Sequence, residues 1–181
     1  MTARESSLIL LTDGASRGNP GHAGIGIVLQ HPDGSVRACL YKYIGQTTNN
    51  VAEYTALLYG LREALLRGAQ RVHVKMDSEL VARQMSGRYR VREPGLQSLH
   101  AACRQLADGF EECRIESIPR EANAAADRLA ALGVQARPST TLQRVHESET
   151  GTTGEQRPDR RPPARPTRWE ESPGSRGQRK G

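Results

Sequence analysis

The chain is 181 residues long, 36% hydrophobic, 25% charged and only 4% aromatic, with a formal net charge of +6, which suits one ordinary domain with its own core plus a tail. No stretch approaches the roughly 18 apolar residues of a membrane span, and the opening residues, with Arg4 and Glu5 ahead of a strand-like run, do not read as a secretory signal. Three cysteines (Cys39, Cys103 and Cys113) without metal-like spacing argue against a disulfide scaffold and a zinc site, so a reducing cytoplasm is the expected compartment.

In chain order, residues 6–12 form a continuous apolar run ending at Asp13, the pattern of a strand buried on both faces. A glycine-rich turn is expected over 14–21, followed by a second strand over 23–30. His31-Pro32-Asp33-Gly34 is a good hairpin turn, and a third strand over 36–44 completes an antiparallel meander. The period then changes. Asn50 and Glu53 resemble a capping box, with Asn50 as N-cap, and apolar residues continue at helical spacing until Gly68. A fourth strand, 71–76, ends at Asp77; a short helix over 78–86, a loop and a helix over 94–107 come next. Residues 113–118 read as a fifth strand, and 121–132 as an alanine-rich last helix stopped by Gly133. This order implies an α/β fold with a mixed sheet and helices on both faces.

Charge and composition mark a boundary. Residues 1–136 carry 16 Lys+Arg against 14 Asp+Glu, whereas 137–181 carry 10 against 6 and hold six of the ten prolines. The expected domains are therefore a folded unit, 1–136, and a disordered basic Pro/Arg-rich tail, 137–181, too poor in apolar residues to offset the entropy of ordering. The tail reads as a solvated linker with some nonspecific attraction to nucleic acid.

The chemistry lies in four carboxylates. Asp13 and Asp77 each follow an apolar strand, and the carboxyl ends of neighbouring strands form the usual crevice of an open α/β sheet. Taken singly, Asp77 suits a helix cap and Glu53 a capping box near the positive end of its helix. Asp127 lies among Asn123, Ala124, Ala130 and Ala131, with no basic partner one turn away. Together, Asp13, Glu53, Asp77 and Asp127 can supply an all-oxygen site for a hard cation such as Mg²⁺ or Mn²⁺.

Four segments, in order, resemble the type 1 ribonuclease H family: residues 12–21 (TDGASRGNPG), 48–57 (TNNVAEYTAL), 76–81 (MDSELV) and 119–130 (PREANAAADRLA). The resemblance covers about residues 7–134. It implies a ribonuclease H-like fold with a five-stranded mixed sheet, the first three strands antiparallel and the fourth and fifth parallel to the first. It further implies cleavage of the RNA strand of RNA/DNA hybrids with two Mg²⁺ or Mn²⁺ ions, leaving 3′-hydroxyl and 5′-phosphate ends. Asp13 would bridge the ions, Glu53 and Asp77 would complete one shell, and Asp127 would hold the other ion. An RNA/DNA hybrid is the partner implied, with double-stranded RNA as a second candidate and no membrane or obligate protein partner.

The resemblance implies substrate contacts from Asn19 and Asn49 at the minor groove, where the 2′-hydroxyl distinguishes RNA, with the backbone of Gly14 close by. Further contacts are expected from Arg88 and Arg90 in the loop Gly87-Arg88-Tyr89-Arg90-Val91-Arg92, and from Arg120 and Asn123. Two departures from the family are legible. The basic loop is short where well-known members carry a long helical protrusion, and Arg120 and Glu121, without a histidine, are the ionisable residues between Ile118 and Asp127. His22, His31, His73 and His100 read as surface or strand residues. The same scaffold could also serve as a catalytically silent hybrid binder or a different nuclease; the presence of all four acids favours catalysis on hybrids.

Overall fold

The computed structural model describes residues 7–145; the basic tail from residue 146 on lies outside them. β1 (Ser7–Gly18), β2 (Gly21–Gln30) and β3 (Val36–Thr47) form an antiparallel meander. α1 (Asn49–Leu66) leads to β4 (Arg71–Met76), and α2 (Glu79–Met85) and α3 (Pro94–Ala107) lead to β5 (Glu112–Ser117). A 3-10 turn, Arg120–Asn123, runs into α4 (Ala124–Gln135), and a short β6 (Gln143–Arg144) follows. The strand order is β5-β4-β1-β2-β3-β6, with β4 parallel to β1 and β5 parallel to β4. The sheet is mixed and the fold class is the expected one. No described helix is long and apolar enough to cross a membrane.

Side chains alternate across a strand, so the apolar run of β1 supplies two cores. Leu8 and Leu10 join the larger one, with Ile25, Ile27, Leu57 and Leu61 beneath α1 and α3. Leu11, with Ile9 beside it, joins a smaller one with Val28, Leu129 and Val145 beneath α4. α4 lies close against β2 because Gly24 and Gly26 carry no side chain. A Cβ at Gly26 would fall 2.2 Å from the carbonyl oxygen of Ala126, and one at Gly24 2.3 Å from the amide of Val134. The alanine face of α4 therefore meets bare backbone.

Several expectations are corrected. The segment after Asp13 is not a glycine-rich turn: β1 continues to Gly18, each residue paired with β2, and the chain reverses at Asn19-Pro20. Ladder pairing is a backbone property, so small residues extend a strand wherever a partner runs alongside. Helix α1 starts earlier than Asn50, with Thr48 as N-cap accepting a hydrogen bond from the Val51 amide. Glu53 is thus not a capping residue. The sheet has six strands rather than five, because the chain passes Ala136 and returns to pair Gln143 and Arg144 with Tyr41 and Leu40. Among the described residues, packing continues past Ala136 to Val145, which is buried and donates its amide to the Cys39 carbonyl at 3.0 Å. Average composition over 137–181 hides this short apolar anchor.

Candidate active site

Register places the first two acids. β1 and β4 are parallel, and their last paired residues are Thr12 and Met76. Asp13 and Asp77 are therefore the next residues on adjacent strands, side by side where β4 ends. Glu53 reaches them from α1, which approaches β1 through Gly14. A Cβ there would lie 2.2 Å from the Ala52 carbonyl carbon, and the Gly14 amide donates to Glu53 Oε2 at 3.3 Å. One carboxylate oxygen from each of Asp13, Glu53 and Asp77 falls within 4.8 Å of the others.

Asp13 and Glu53 are buried, at 5% and 6% exposure. Burial disfavours the charged form, and like charges nearby add to it. The Asp13 carboxyl is pushed up to about 7, first by desolvation and then by the charges of Asp77 and Asp127. Glu53 is pushed up to about 9, again by desolvation first and then by Asp13 and Asp77, against a smaller opposing effect of the Gly14 amide. Crowded carboxyl oxygens, those of Asp13 and Glu53 raised by burial, are what a hard divalent cation relieves. The donor set, all carboxylate and largely screened from water, fits Mg²⁺ or Mn²⁺.

Asp127 stands apart from this cluster, near enough to raise Asp13 electrostatically. Its carboxylate pairs with the Arg120 guanidinium at 2.9 Å, a partner supplied by the 3-10 turn rather than by the helix itself. The hydrogen bond to Asp127, and after it the charges of Asp127, Asp77 and Asp13, hold Arg120 above its ordinary value.

Asn123, expected at the substrate, is instead fully buried. Its Nδ2 donates to the Thr12 carbonyl at 3.0 Å and to Asp77 Oδ1 at 3.1 Å. It orients an acid and locks the start of α4 to β1. Its own Oδ1 and the Thr12 hydroxyl are buried without a partner among the described residues. Gly14 also departs from expectation: its amide is committed to Glu53, and its role is to let α1 approach. Asn19 and Asn49 are exposed neighbours, the Asn19 Oδ1 accepting from the Asn49 amide at 3.1 Å, so the hairpin end is tied to the start of α1. Arg88 and Arg90 are exposed in the loop after α2. Among the histidines, His22 bonds Tyr43 at 2.6 Å and His73 pairs with Glu116 at 2.9 Å. The positioning role of Asn123 had one sequence signal, an asparagine just ahead of an alanine-rich helix; its contact with Asp77 spans 46 positions and had none.

Comparison with known proteins follows the same outline. Residues 11–133 match the family model described as reverse transcriptase-like. The chain is 47% identical over 124 residues to the bifunctional protein Rv2228c of Mycobacterium tuberculosis, covering 68% of this chain and 34% of that protein. It is 42% identical over 118 residues to ribonuclease HI of Halobacterium salinarum, covering 65% of this chain and 59% of that one. The match thus spans about a third of the mycobacterial relative and less than two thirds of the archaeal one. Among solved structures, the N-terminal RNase H domain of Rv2228c, fused to maltose-binding protein, superposes with a TM-score of 0.71 at 44% identity, over 72% of this chain and 95% of that one. LC11-RNase H1, solved in complex with an RNA/DNA hybrid, superposes with a TM-score of 0.68 at 41% identity, over 71% and 96%.

Proposed function

The chain belongs to the type 1 ribonuclease H family, and we propose that it is a metal-dependent endoribonuclease that cleaves the RNA strand of RNA/DNA hybrids. The observation that carries this reading is the convergence of Asp13, Glu53 and Asp77 into one buried cluster, with Asp127 beside it. The hybrid-bound LC11-RNase H1, similar over 96% of its length, supports the substrate class.

Asp13, Glu53 and Asp77 would hold one divalent ion, and Asp13 with Asp127 a second. Bound there, Mg²⁺ or Mn²⁺ supplies the Lewis acidity and positive charge that phosphodiester hydrolysis with 3′-hydroxyl and 5′-phosphate products requires. The chain's own residues do the rest. Asn123, donating to Asp77 Oδ1, holds that carboxylate in place. Arg120 is largely exposed, its side chain tethered at the guanidinium end to Asp127, and can turn to a substrate phosphate when Asp127 is otherwise engaged. Asn19 and Asn49 sit together at the hairpin end, where exposed amide groups can read a 2′-hydroxyl. Arg88 and Arg90 meet the phosphate backbone further along. Cytoplasmic residence agrees with three unpaired thiols.

The test is incubation of the purified chain with end-labelled hybrid, duplex RNA and duplex DNA, in Mg²⁺ and in Mn²⁺. The expected result is cleavage confined to the RNA strand of the hybrid, with 3′-hydroxyl ends. Hybrid left intact in both metals overturns the reading; cleavage of duplex RNA widens the substrate class.

A further inference from the structure

One connection beside the acids is not used by the chemistry above. Tyr54, next to Glu53 on α1, is fully buried, and its hydroxyl donates to Gln84 Oε1 at 2.7 Å. With Gln84 Oε1 accepting from the phenol, Nε2 is left to donate. It faces the Arg90 carbonyl at 3.5 Å. The Gln84 backbone carbonyl also accepts from the Gly87 amide at 3.1 Å and lies 3.3 Å from His100 Nε2 on α3. Gln84 is 6% exposed, and a buried amide with both ends engaged is rigid and costly to disturb.

What Gln84 holds is the arginine-bearing loop, which is short and exposed yet pinned throughout. The amides of Arg88 and Tyr89 donate to the Arg83 carbonyl at 2.9 and 3.1 Å. The Arg83 guanidinium, paired with Glu79, lies over the Tyr89 ring at 5.1 Å and donates to its hydroxyl at 3.1 Å. Gln97 on α3 donates to the Val91 carbonyl at 3.2 Å. Of these ties, the one through Gln84 continues to the helix carrying Glu53.

We propose that Gln84 is a positioning residue for substrate binding: through Tyr54 it couples the Glu53-bearing helix to the 87–92 loop, so that Arg88 and Arg90 meet the nucleic-acid backbone at a fixed distance from the carboxylates. The inference rests on the reading of Arg88 and Arg90 as backbone contacts. A loop ordered before binding loses less conformational freedom on binding.

The experiment is a binding cycle on the full chain, with Q84M, Y54F, R88A/R90A and Q84M/R88A/R90A. Equilibrium affinity for a short fluorescent RNA/DNA hybrid is measured in EDTA over a salt series, and kcat and KM in Mg²⁺. R88A/R90A should weaken binding and reduce the salt slope by about 2. Q84M should raise Kd and KM by about three- to tenfold with kcat little changed, the effect of one or two buried hydrogen bonds. Y54F, which keeps the ring, should act in the same direction by less. In the arginine-free background Q84M should add nothing, since it acts through those arginines. If R88A/R90A leaves affinity unchanged, the loop reading falls and this inference with it. If R88A/R90A weakens binding but Q84M does not, or if Q84M weakens it equally without the arginines, only the positioning role is refuted. Should Q84M not fold, Y54F in the same two backgrounds decides.

Discussion

Replacing Asp13 by Asn separates chemistry from stability. Asp13 contributes an oxygen to the three-carboxylate cluster, so the variant should lose hybrid cleavage while still binding hybrid. Without divalent ions it should also be more stable than the parent. A carboxyl whose folded-state value is raised binds more protons folded than unfolded, so stability is present at low pH and is lost as pH rises from the unfolded value toward the folded one. For Asp13 that window runs from 3.8 to about 7. A shift of about 3 units corresponds to about 4 kcal/mol lost at neutral pH. A buried amide keeps a desolvation cost of about 1–2 kcal/mol, leaving D13N about 2 kcal/mol more stable in EDTA at pH 7.5, or roughly 5–10 °C in Tm. At pH 4 both side chains are uncharged in the fold and the advantage should vanish. Mg²⁺ should reverse the order at pH 7.5, because a ligand that binds only the native cluster stabilises the parent alone. Thermal melts at both pH values, with EDTA and with Mg²⁺, check this. A D13N chain less stable than the parent in EDTA at pH 7.5, or an offset that does not change with pH, would refute the electrostatic reasoning.

Three other outcomes follow from the packing. N123A removes two hydrogen bonds around Asp77 and Thr12; kcat should fall about tenfold or more through misplacement of the acid with KM little moved, as steady-state assays would show. G26A puts a Cβ 2.2 Å from the Ala126 carbonyl and should cost about 3 kcal/mol by forcing α4 off the sheet, carrying Asp127 away and reducing turnover; urea unfolding and cleavage assays on one preparation measure both. A chain ending at Val145 should retain folding and cleavage, whereas one ending at Ala136 loses β6 and the buried Val145. The shorter chain should be less stable by about 2–4 kcal/mol, and equal denaturation midpoints for the two would show that β6 contributes nothing.

Much of this protein was legible in one dimension. The two-sided apolar run before Asp13, the alternation before Asp77 and the helical spacing after Glu53 are local patterns, and each acid stands at a fixed offset from the end of such a pattern. Pattern and motif together specified a mixed sheet with helices on both faces and which acids to examine. They misjudged the residues after Asp13 because strand extension depends on a partner. They placed the N-cap of α1 at Asn50 rather than Thr48 because both residue types are competent N-caps. They ended the domain at Ala136 because two paired residues and one buried valine disappear in a basic average.

What was determined by the order of residues alone, then, is the set of elements and the carboxylates at their ends, since periodicity and end positions are properties of neighbours along the chain. Tertiary structure decided which oxygens share a cluster, that Asp127 pairs with Arg120 outside it, that Asn123 supports an acid rather than facing solvent, and that Gln84 connects Tyr54 to the Arg90 carbonyl. Each of those depends on register between strands and on how closely a helix can settle over a glycine, and burial then raises the Asp13 and Glu53 carboxyls that are brought together.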